Sequence, residues 1–139
     1  MSALPPTDLA AVSSFAAASG FVPAEVSGTR VTGAVDLGRA HHTPWGVVHG
    51  GVYCTVVESA ASIGASAAVV DRGEFAVGLH NATDFLRPMT SGRLDVLAEP
   101  VQQGRTQQLW LVSLTRAEDG KLVARGQVRL QNVPLPATG

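Results

Sequence analysis

Two apolar patterns of different period divide this chain. In the first half apolar residues recur at helical spacing, and in the second they fall in short runs separated by turn residues. Thr7-Asp8 reads as a helix start before an Ala-rich run. There Leu9, Val12, Phe15 and Ala16 share a face, and Gly20 ends the helix. Residues 23–37 alternate weakly around two glycines and predict a strand or a bent hairpin. Residues 38–46 crowd Gly, Arg, two His, Thr and Pro together and predict a loop. A longer helix is expected over about 50–70, closed by Asp71-Arg72-Gly73. Its small residues let another backbone approach. Gly64 in its middle costs ~1 kcal/mol relative to Ala, which tight packing against a sheet or another helix would explain.

The remainder predicts an antiparallel meander with strands over 75–87, 92–103, 106–116 and 122–132. Turn residues separate them at 88–92, 103–105 and 118–121, with Asp119-Gly120 the strongest hairpin signal. Residues 1–6 and 134–139 are expected as tails of a single domain, 1–139. The economical way to bury so apolar a helix is to wrap the sheet around it, giving an α+β fold.

Composition narrows the functional classes. Charged residues make up 15% of the 139, against a usual ~25%. So little charge on a small domain predicts a subunit interface. Ten Lys+Arg against 11 Asp+Glu leave no basic excess for a phosphate backbone, so nucleic acid is not an expected partner. A lone cysteine, Cys54, excludes an internal disulfide and multi-thiolate metal sites. No basic segment precedes the N-terminal Ala-rich run, as a signal peptide requires. The apolar stretch 60–70 is too short and too rich in Ser and Gly to span a bilayer. A cytoplasmic protein without a membrane partner is the resulting expectation.

Candidate chemistry concentrates between Thr43 and Ser62. A helix beginning at Gly50 offers unpaired N–H groups and the positive end of a dipole, suited to a developing oxyanion. Glu58, among Val and Ala on the same helix, is costly to bury without a task or a partner. Thr55, Glu58 and Ser62 form a polar stripe at i, i+3 and i+7. Glu58 is then a general base or nucleophile with Ser62 placing water or substrate, or else it pairs with Arg39 or Arg87. His49 buttresses the turn, and Gly51 lets the backbone approach a ligand. Gly50 and Glu58 lie about 12 Å apart along a helix. One small reacting group cannot touch both, which favours a composite site at a dimer interface. His41, His42 and His49 match no zinc spacing, so no metal is expected. Cys54 on an apolar helix is not expected to be a nucleophile.

The run Gly46-Val47-Val48-His49-Gly50-Gly51 followed by Glu58 resembles the hotdog-fold acyl-CoA thioesterases of the PaaI type and the related Arthrobacter-type 4-hydroxybenzoyl-CoA thioesterases. The likeness continues through residues 77–88, Gly92-Arg93-Leu94, Gly104-Arg105-Thr106 and residues 120–126. It implies a long helix wrapped by a curved antiparallel sheet, in dimers or tetramers. It further implies that Glu58 is the catalytic carboxylate and that Gly50 N–H polarises the thioester carbonyl. Ser62 would help place the reactants, and Arg87, Arg105 and Thr106 would meet coenzyme A. His42, Gly51, Thr55 and Asn81 complete the expected substrate contacts. Coenzyme A is part of the substrate, and no separate cofactor is expected. Fifteen residues before the acid the family carries Asn or Gln, where this chain has Thr43 beside His42. The expectation is thioester hydrolysis, on coenzyme A or an acyl-carrier protein. Its rivals are a hydratase or dehydratase using His49 with Glu58, and a non-catalytic acyl-CoA binding protein.

Overall fold

The computed structural model describes Leu4, Asp8 and residues 13–136. Within them a short helix α1 (Ser14–Ser19) leads to the hairpin β1 (Phe21–Ser27) and β2 (Arg30–Leu37). A 20-residue helix α2 (Gly50–Val69) follows, then β3 (Glu74–Phe85), β4 (Gly92–Gln103), β5 (Gln107–Arg116) and β6 (Leu122–Pro134). Gly20 ends α1 as expected, with φ +77° and its N–H donated to Ala17 O. The cap at that helix's start is Ser13, whose hydroxyl accepts Ala16 N–H. The predicted start at Thr7-Asp8 falls largely outside the described residues.

The six strands form one antiparallel sheet in the order β1-β2-β4-β5-β6-β3. The meander expected over four strands therefore holds only for β4-β5-β6. β3 pairs with β6 at the far edge, not with its sequence neighbour β4. The reason lies in residues 86–91, which carry Pro88 and do not make a hairpin turn. They cross the end of the sheet, where Leu86 N–H bonds Val123 O and Met89 O accepts Val48 N–H. Asp119-Gly120 does close a tight hairpin: Gly120 has φ +71° and donates to Arg116 O. The Arg116 guanidinium and the Lys121 N–H hold Asp119 down to about 2.

α2 lies across the concave face and buries Val56, Val57, Ala60, Ala61 and Ala65 against the sheet. Trp110, fully buried on β5, packs on Gly64, where a Cβ would overlap the indole ring. That contact explains a glycine in mid-helix. With the turn that follows, Gly50–Arg72 is long and apolar enough to cross a bilayer. This corrects the inference from 60–70 alone, and burial beneath the sheet accounts for the composition.

Candidate active site

The loop entering α2 is fastened at several points. Thr43 N–H donates to Val47 O, and Gly46, at φ +80°, donates to Thr43 O. The Thr43 hydroxyl accepts Trp45 N–H at 3.2 Å. His42 and Val48 form a bridge, and the His42 Nε2 bonds Thr90 O at 2.6 Å. His49 then caps the helix, its Nδ1 accepting Gly51 N–H at 2.8 Å. An accepting Nδ1 places the proton of a neutral ring on Nε2. Val52 N–H goes to His49 O. Gly50 N–H has no acceptor among the described residues, so the helix start presents one free donor at the dipole's positive end.

Glu58 sits two turns on, half-buried, with its carboxylate against β3. None of the ion pairs among the described residues includes it. The alternative pairing with Arg87 is not formed; Arg87 Nη1 donates to Leu122 O instead. The partner of Glu58 is an amide: Asn81 Nδ2 donates to Glu58 Oε1 at 3.1 Å and to Cys54 O at 3.1 Å. The Thr83 hydroxyl donates to Asn81 Oδ1 at 2.6 Å. On the same strand Gly78 leaves the space that Glu58 Oε2 fills; a Cβ there would overlap that oxygen.

The other predicted residues divide by position. The Thr55 hydroxyl donates to Gly51 O at 2.8 Å, and Ser62 lies half-buried one turn beyond Glu58. Two depressions flank the helix start. One, of about 460 Å³, is lined by His42, His49, Gly51, Thr55 and Phe15. The other, of about 230 Å³, is lined by Gly50, Tyr53, Phe85 and Arg87. A larger depression, about 790 Å³, lies on the outer sheet face over β1, β2 and β4 and holds none of the candidates.

Arg105 and Thr106 lie at the opposite end of the helix. Arg105 O accepts from Arg72, which follows α2, and Asn132 N–H donates to Thr106 O. Gly50 and Arg72 are 22 positions apart, about 33 Å along a helical axis. One chain does not bring Arg105 and Thr106 to Gly50.

Gly78 and Thr83 were not singled out from the sequence. Asn81, an expected substrate contact, donates to Glu58. The readable signal was two hydrogen-bonding residues, Asn81 and Thr83, at strand period, which share one face. Their target was not readable, because it depends on the pairing of β3.

Known proteins resemble this chain in sequence and in fold. The Mycobacterium tuberculosis protein Rv1847, provisionally named an esterase, is 54% identical over 90 residues, 63% of this chain and 64% of that one. Its solved structure superposes with a TM-score of 0.84 at 41% identity, covering 88% of this chain and 98% of that one. The 1,4-dihydroxy-2-naphthoyl-CoA thioesterase 2 of Arabidopsis thaliana is 39% identical over 101 residues, 71% of this chain and 62% of that one. Each of the two sequence matches spans less than two thirds of the relative's own length. The family model described as thioesterase superfamily matches residues 46–123, which hold the helix cap, Glu58, Gly78, Asn81 and Thr83. The chain belongs to the thioesterase superfamily.

Proposed function

We propose that this protein is an acyl-CoA thioesterase, with Glu58 as its catalytic carboxylate and Gly50 N–H as its oxyanion donor. The observation that carries the reading is the state of Glu58. It is half-buried on an apolar helix, paired with no cation among the described residues, and held by an amide in a space opened by a glycine. A carboxylate kept that way is available to act as a base or a nucleophile. As a base, Glu58 takes a proton from water while the hydroxide adds to the thioester carbon. Gly50 N–H receives the charge that develops on the carbonyl oxygen. Collapse breaks the C–S bond, and the proton on Glu58 passes to the departing sulfur. His49 holds the turn that aims Gly50, and Ser62 helps place the reactants.

The span of about 12 Å along the helix between Gly50 and Glu58 and the low charge of the chain support a homodimer or homotetramer with sites shared between protomers. In such an assembly Arg105 and Thr106 of one protomer reach the coenzyme A bound by another. The names of the Arabidopsis relative and of a 1,4-dihydroxy-2-naphthoyl-CoA hydrolase of Listeria monocytogenes, 34% identical over 74 residues, support an aromatic acyl group. One observation favours a second reading, a binding protein without turnover. The Thr43 hydroxyl and the His42 ring, the candidates to stand in for the family's Asn or Gln, are both engaged in the loop.

Free-thiol release from aromatic, short, medium and long acyl-CoAs separates these readings. Selective release of aromatic acyl groups is the expected result. Enoyl-CoA hydration with the thioester left intact would replace the proposal with a hydratase, and tight binding without release would replace it with a binding protein.

A further inference from the structure

β3 does not run straight past the helix. Its register with β6 shifts between Gly78 and His80, so Leu79 is an extra residue, half exposed at a bulge. In a regular strand Gly78 and Asn81, three apart, would face opposite sides. The bulge puts them on one side. Before it, Ala76 is buried and Gly78 faces Glu58. After it, Asn81 reaches Glu58, Thr83 lies against Gly126, and Phe85 lies against Gly50 and Tyr53. Bulges gather beside functional sites because they re-aim side chains in this way.

The bonds at Asn81 are fully directional. Both amide protons are used, one on Cys54 O and one on Glu58 Oε1, and Oδ1 accepts the Thr83 hydroxyl. Turning the amide over would set Oδ1 against two acceptors. The Thr83 hydroxyl therefore selects the orientation in which Asn81 donates to the carboxylate. With Oε1 held, Oε2 is the oxygen left to react. We propose that Asn81 and Thr83 are positioning residues for Glu58, Thr83 acting through Asn81, and that the bulge at Leu79 brings both to the helix. The proposal rests on the thioesterase reading only for its kinetic consequence.

The test compares Thr83→Val, which keeps the branched shape and loses the hydroxyl, with Thr83→Ser, which keeps the hydroxyl. With the acyl-CoA that wild type hydrolyses fastest, Thr83→Val should lower kcat about tenfold or more and leave KM within about twofold. Thr83→Ser should restore kcat. In a Glu58→Gln background Thr83→Val should cost nothing further. Equal losses for Val and Ser, or a change confined to KM, would overturn the proposal. The side-chain amide resonances of Asn81 give a reading that needs no substrate. They should move in Thr83→Val and in Glu58→Ala, and stay in place in Thr83→Ser. Resonances unmoved by Thr83→Val would also overturn it. A wild type that releases no thiol from any ester would defeat the functional reading alone, and the resonances would still decide the relay.

Discussion

Tyr53 shows how much one side chain can reveal about what covers the helix. It lies one turn into α2 beside Phe85, ring centroids 5.7 Å apart, and its hydroxyl is buried without a partner among the described residues. An unmet buried hydroxyl costs about 1–3 kcal/mol. Tyr53→Phe should therefore raise stability by about 1 kcal/mol in denaturant melts. A loss of stability instead would mean that a second protomer accepts the hydroxyl. Burial also raises the Tyr53 pKa, with the Arg116 charge opposing. The folded phenol thus keeps its proton where the unfolded chain releases it. Wild type should lose stability as pH rises past 10.0, and Tyr53→Phe should lack that part of the slope. At this scale the sequence was readable where one helix decides everything. The Gly50–Glu58 spacing and the His49 turn needed only helix geometry. The use of Asn81 and Gly78 required knowing where β3 runs.

Among the elements, α2 and the sheet are matched through Gly64 and Trp110. Replacing Gly64 by Ala would gain ~1 kcal/mol of helix propensity. The new methyl would meet Trp110 and Val31, both fully buried, and overpacking of that kind costs about 1–3 kcal/mol. Gly64→Ala should lower Tm, whereas a rise would mean that the contact is slack. The strand runs were legible because alternation and turn residues are local. The placement of β3 was not, because no local pattern distinguishes pairing with β4 from pairing with β6. The bulge at Leu79 was hidden for the same reason: an inserted residue shows only against the register of its neighbour.

For the whole molecule, the proposed association of protomers rests on low charge and on the span between Gly50 and Glu58. The composite-site proposal makes this measurable. Gly50→Pro removes the free N–H at a helix position that tolerates proline; its ring would meet the half-exposed Phe85 ring, so the variant is used once a melt shows it folded. Mixed with Glu58→Gln after joint refolding, it should recover roughly a quarter of wild-type thiol release. Half the dimers would then be mixed, each with one intact site of two. No recovery would place both groups of one site on one protomer.

The central claim is that Glu58 performs the chemistry. The direct measurement is single-turnover thiol release by wild type and by Glu58→Gln, which keeps the shape of the side chain and an oxygen for Asn81. A fall on the order of 10²–10⁴-fold in a folded variant is the predicted result. Release within a few-fold of wild type would contradict the account.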